Sequence, residues 1–126
     1  MKYSIDKQAK YVIVQPHEEK IDAALAPELK TLFINLAAEG NKSFILNMVD
    51  VKYVDSSGLS AVLFGNRLAN EQKGSFVLSN IGDHVMKLIR ISQLDRVLDI
   101  YPSTETGIDA VLLDHTEKNL KTENEE

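Results

Sequence analysis

Asp55-Ser56-Ser57-Gly58-Leu59 sets two hydroxyls between a carboxylate and a glycine, directly before an apolar run that opens at Leu59. A serine at the mouth of a helix is a group on which a phosphate can be placed and removed. The free amides of a helix start carry about half a positive charge and tolerate an anion. Asp55, one residue away, opposes it: like charges about 4 Å apart at an effective dielectric near 20 repel by roughly 4 kcal/mol before screening, and only part of that survives at an exposed site. The expected chemistry is that of a switch, a change of about 1.5 to 2 negative charges on a surface that a partner reads. Gly58 lets another surface approach the backbone closely, and Ser56 and Ser57 stand where an N-cap is required. Any tight turn and N-cap would use the same residues, so a purely structural role stands beside the regulatory one.

The remaining reactive side chains form weaker patterns. His17, His84 and His115 are isolated, with no second His or carboxylate at a ligand spacing on one helix face, so no metal site is expected. Asp50 and Asp55 flank the serines and have the types for acid-base work, yet no nucleophile or oxyanion-hole motif accompanies them, which favours turn and partner roles. Gly58 and Gly65 fit neither a P-loop nor a dinucleotide fingerprint, and no cofactor is expected. Without cysteine, disulfides, thiolate metal sites and cysteine nucleophiles are excluded.

The elements that must position the serines are legible from apolar spacing. Residues 3–6 and 11–15, rich in β-branched and aromatic side chains, read as a hairpin around polar residues 7–10. Asp22, Pro27 and Glu28 suit a helix start; Leu29, Leu32, Phe33 and Leu36 form its apolar stripe and Gly40 ends it. Residues 44–48 are almost wholly apolar, as in a central strand covered on both faces. The loop at 49–55 then carries the chain to the carboxyl edge of the sheet, where sites in open α/β folds lie. Leu59, Val62, Leu63 and Ala69 mark one face of the next helix, while Ala61, Phe64 and Leu68 mark another; a helix apolar on two sides is either sandwiched or a partner surface. A strand at 76–78, a helix through Val85, Leu88 and Ile89, a strand at 97–101 and a last helix through Ile108, Val111, Leu112 and His115 complete the alternation. Such a chain predicts a mixed sheet with a parallel portion and right-handed crossovers.

The 126 residues, 44% hydrophobic and 26% charged, suffice for one domain with one core. A formal net charge of -5 argues against direct nucleic-acid binding, which needs clustered Lys and Arg. The charged start has no apolar leader core, and nowhere do about 18 apolar residues run together, so no membrane span and a cytoplasmic location are expected. Residues 1–117 are expected to form the domain and 118–126 an acidic, disordered tail.

The stretch Asn47-Met48-Val49-Asp50-Val51-Lys52-Tyr53-Val54-Asp55-Ser56-Ser57-Gly58-Leu59 resembles the signature of the STAS family, to which the anti-sigma factor antagonists belong. The likeness extends over about residues 3–115, with Asp22 at the Asp of the family's Gly-Glu-Leu-Asp segment, although Glu19-Lys20 stand where Gly-Glu is usual. It implies an α/β fold, a mixed sheet with an N-terminal hairpin followed by β-α repeats and helices packed mainly on one side. It further implies a non-enzymatic partner switch: unphosphorylated, the domain binds an anti-sigma factor with serine kinase activity and releases a sigma factor. Phosphorylation of the motif serine, here Ser56, dissociates the complex, and a PP2C-type phosphatase restores it. Asp22, Asp55, Ser56, Ser57, Gly58 and Phe64 are the expected partner-binding residues. Two alternatives stand beside this reading. One is a scaffold or transporter-associated subunit of the same fold, as in a lipid-transport ATP-binding cassette system, that binds an ATPase without being a kinase substrate. The other is a small hydrolase, disfavoured for want of a nucleophile-base pair.

Overall fold

In a computed structural model, the backbone of residues 1–125 and the side chains of residues 1–117 are described; the disordered tail expected at 118–126 lies outside the residues described in full. β1 (Tyr3–Lys7) and β2 (Val12–Pro16) form the expected antiparallel hairpin, with Ile5 opposite Val14. β4 (Phe44–Asn47), β6 (Phe76–Ser79) and β7 (Asp99–Tyr101) extend it in parallel, giving the order β1-β2-β4-β6-β7. The mixed sheet is thus antiparallel at one edge and parallel elsewhere, as strand-helix alternation requires.

Strand periodicity of two divides the core. Val12, Val14, Phe44, Leu46, Phe76 and Leu78 face one side and pack with three helices: α1 (Ala26–Ala38), α2 (Ser56–Glu71) and α3 (Asp83–Ile91). Their neighbours Ile13, Ile45 and Val77 face the other side, covered by α4 (Thr104–Glu125) through Ile108 and Val111. Helices therefore lie mainly on one face, three against one. Phe33 of α1 meets Phe44 and Phe76 edge-on, each pair at 5.6 Å between ring centroids, which anchors α1 over the middle of the sheet.

α1 ends as its sequence demands. Gly40 takes φ +101°, and the amides of Gly40 and Asn41 return to the carbonyls of Ala37 and Leu36 at 3.0 and 3.1 Å. α2 is apolar on two sides because it is sandwiched, packing on α1 as well as on β5 (Tyr53–Val54) and β6. Phe64 is half-buried against the main core.

Two strands escaped the sequence reading. β3 (Lys20–Ile21) and β5 (Tyr53–Val54) form a separate two-stranded parallel sheet, β5 within the loop expected at 49–55 and β3 in a stretch where the sequence predicts no element. Two residues are too few to carry a periodic signal; their pairing is set by long-range contact. This small sheet positions the site.

Candidate functional site

β5 leads straight into Asp55, and the amide of Asp55 lies 3.4 Å from the Ile21 carbonyl, so β3 and the start of α2 are tied together. The N-cap of α2 is Asp55, not the serines: its backbone is extended, its Oδ1 accepts from the Gly58 amide at 2.8 Å, and its carbonyl accepts from Leu59 at 2.9 Å. This corrects the expected cap. A carboxylate at this position satisfies an orphan amide and complements the helix dipole together, so Ser56 and Ser57 fall inside the first turn with their hydroxyls released from capping. The second carboxylate oxygen of Asp55 accepts from the Ala23 amide at 3.2 Å.

Asp22 performs the matching task for the turn into α1. Its Oδ1 accepts from the amides of Ala24 and Leu25 at 3.0 and 3.3 Å. Both carboxylates are thus engaged by backbone amides. Gly58 is buried, and a Cβ there would stand 2.1 Å from the Ile21 carbonyl oxygen, so close backbone approach is real but its object is β3. Ser56 is exposed and Ser57 half-buried. The structure therefore brings Asp22, Asp55, Ser56, Ser57 and Gly58 together at one corner. Phe64 lies two turns along α2, away from this mouth.

Two open grooves flank the corner. One, of about 460 Å³, is lined by Lys20, Ile21, Asp22, Tyr53, Val54 and Asp55. The other, of about 280 Å³, lies between the starts of α1 and α2 and is lined by Ala23, Ala26, Pro27, Lys30, Ser56, Ser57 and Ser60.

A second polar cluster was invisible in the sequence. His17 Nδ1 lies 2.9 Å from Asp50 Oδ2, while His17 Nε2 lies 2.5 Å from the Ser4 hydroxyl. Gln15 also donates to Asp50 at 3.2 Å. These hydrogen bonds, first His17 and then Gln15, hold the Asp50 carboxyl below the usual carboxylate range. Ser4, His17 and Asp50 stand in the order of nucleophile, base and orienting acid, a pair the hydrolase reading had lacked. All three are exposed, and Ser4 sits on the edge strand β1; the cluster fastens β1, the end of β2 and the β4–β5 loop to one another. No local signal joins residues 33 apart. His84 instead stacks edge-on against Tyr53 at 4.9 Å, and His115 is half-buried on α4.

This arrangement, a capped helix mouth set by a small accessory sheet beside a mixed five-stranded one, can be compared with known proteins. A family model described as the STAS domain matches residues 3–107. The chain belongs to the STAS family. Among curated relatives, the anti-sigma-B factor antagonist of Bacillus subtilis (strain 168) is 32% identical over 89 residues, which span 71% of this chain and 81% of that protein. Among solved structures, a candidate anti-sigma factor antagonist of Thermotoga maritima matches with a TM-score of 0.80 at 22% identity, covering 86% of this STAS chain and 93% of that one. The phosphorylated form of the Bacillus cell fate determinant SpoIIAA matches with a TM-score of 0.67 at 20% identity, covering 87% and 99%. The two structural likenesses bear on the STAS fold. Among the described residues no helix is long and apolar enough to cross a membrane.

Proposed function

We propose that this STAS domain is an anti-sigma factor antagonist that works by partner switching in the cytoplasm, without enzymatic activity and without touching nucleic acid itself. In the binding form Ser56 carries a free hydroxyl, and the domain docks on an anti-sigma factor with serine kinase activity, freeing a sigma factor. Transfer of the γ-phosphoryl group of ATP to Ser56 Oγ, with ADP as the leaving product and the hydroxyl proton passing to the kinase, ends the complex. A PP2C-type phosphatase hydrolyses the ester and restores the binding form. Ser56 is thus a substrate, and Asp22, Asp55 and Ser57 shape the contact surface beside it, while Gly58 lets β3 seat against the helix mouth.

The observation that carries this reading is the placement of Ser56, exposed in the first turn of a helix whose cap is made by Asp55. A hydroxyl so placed can enter a kinase site without unfolding anything. A surface built around that hydroxyl would have to bury about 1.5 to 2 added charges after modification, in company with two fixed carboxylates. Each 1.4 kcal/mol of such penalty is tenfold in affinity. The 32% identity to an anti-sigma-B factor antagonist supports the same choice.

Incubation with a purified anti-sigma factor kinase and radiolabelled ATP tests the proposal. Label should enter the wild-type chain and be absent from Ser56→Ala, and Ser56→Asp should bind the kinase more weakly than wild type. Undiminished labelling of Ser56→Ala discards the site. Tight binding to an ATPase with no labelling of the wild type identifies the scaffold alternative.

A further inference from the structure

The groove between α1 and α2 differs from its neighbour in charge. Its lining contains three serine hydroxyls, Ser56, Ser57 and Ser60, and a single charged side chain, Lys30. The other groove holds Asp22 and Asp55 together with one cation, Lys20, so its carboxylates outnumber its positive charge. Lys30 lies one turn beyond Ala26 on α1, is half-buried, and makes no ion pair among the described residues. The carboxylates that could have claimed it are held elsewhere, Asp22 on Ala24 and Leu25, Asp55 on Gly58 and Ala23. A cation with no counter-ion among the described residues, on the wall of a hydroxyl-lined groove opened by Ser56, has the chemistry of a receiver for an anion attached to Ser56.

We propose that Lys30 reads the phosphorylation state of Ser56 by pairing with the phosphoserine dianion across the α1–α2 groove. This rests on the reading of Ser56 as the phosphoacceptor. The ester turns toward the α1 side, away from Asp22 and Asp55, because there Lys30 shares the groove with no carboxylate, whereas Lys20 shares the other groove with two. The ammonium offers up to three donors, and the Ser57 and Ser60 hydroxyls line the same space. Phosphorylation then acts twice: it adds charge, and it fills the groove beside Ala23 and Pro27, removing that recess from a partner.

The test uses the full chain with phosphoserine installed at position 56 during translation, so that no kinase is involved. The ³¹P resonance is titrated against pH. An ammonium beside the phosphate favours its dianion, so Lys30→Met should raise the second phosphate pKa by roughly half a unit relative to the parent. Lys30→Arg should retain the parent value, and Lys20→Met, which alters the neighbouring groove, should leave it in place. Met preserves most of the aliphatic stem of Lys30, and circular dichroism confirms the fold. A titration of Lys30→Met that superimposes on the parent overturns the proposal, as does an equal shift in Lys20→Met, which would mark a diffuse field. Failure of the Ser56 reading would appear separately, as kinase labelling that persists in Ser56→Ala.

Discussion

Gly58 and Ile21 meet backbone to backbone: a methyl group on Gly58 would lie 2.1 Å from the Ile21 carbonyl oxygen. The obstacle is main chain and cannot rotate away. Within a helix, Gly→Ala would by itself gain about 1 kcal/mol, but overpacking against a fixed atom costs about 1 to 3 kcal/mol and parts β3 from α2. Gly58→Ala is expected to lose up to about 2 kcal/mol in urea unfolding. Gly82→Ala, where nothing stands within 4 Å of the added carbon, should cost only the weaker N-cap that Ala gives α3, about 0.5 to 1 kcal/mol.

Asp55 serves two amides, Gly58 at 2.8 Å and Ala23 at 3.2 Å. Asp55→Ala should cost about 1 to 2 kcal/mol, the range of a lost N-cap, and Asp55→Asn should recover much of it because the amide oxygen still accepts. Equilibrium denaturation of the three proteins measures both differences.

Ser56→Ala should leave stability within about 0.5 kcal/mol of wild type, since the side chain is exposed and the cap belongs to Asp55. The same substitution should abolish phosphorylation. Loss of label with an unchanged melting temperature separates a modified residue from a structural one.

The lowered pKa of Asp50 fixes the sign of a pH effect. A carboxyl whose folded-state pKa lies below its unfolded value contributes stability above the unfolded value, near 4, and that contribution disappears as pH falls through the folded value. His17→Ala removes the largest cause, so the Asp50 carboxyl should titrate nearer the ordinary carboxylate value. Carbon-detected NMR of the Asp50 carboxyl from pH 6 to 2 follows the change.

Phe33 is fully buried between Phe44 and Phe76. Phe33→Ala should cost about 3 to 5 kcal/mol by lost burial and the cavity left behind. Guanidinium unfolding should show a lower midpoint with an unchanged slope.

The apolar rows were readable because burial acts locally on spacing. Leu29, Phe33 and Leu36 turn one helical face inward, and Phe44-Ile45-Leu46 is covered on both sides as its composition requires. The motif at 55–58 was readable for the same reason, since capping and tight turns act over three or four residues. Sequence reading placed the cap on the serines because several residue types can cap; the extended backbone of Asp55 made the choice. It left α2 open between a sandwiched helix and a partner surface because periodicity names apolar faces without naming what covers them.

Taken alone, the amino-acid order determined the alternation of strands and helices, the burial of their faces and the presence of an acid-serine-serine-glycine corner, all consequences of interactions between near neighbours in the chain. Only the tertiary structure decided that β3 and β5 pair, that His17 meets Asp50, and that Lys30 lines the groove opened by Ser56. These juxtapositions join residues far apart in sequence, and packing of the whole core, which no short stretch encodes, brings them within reach.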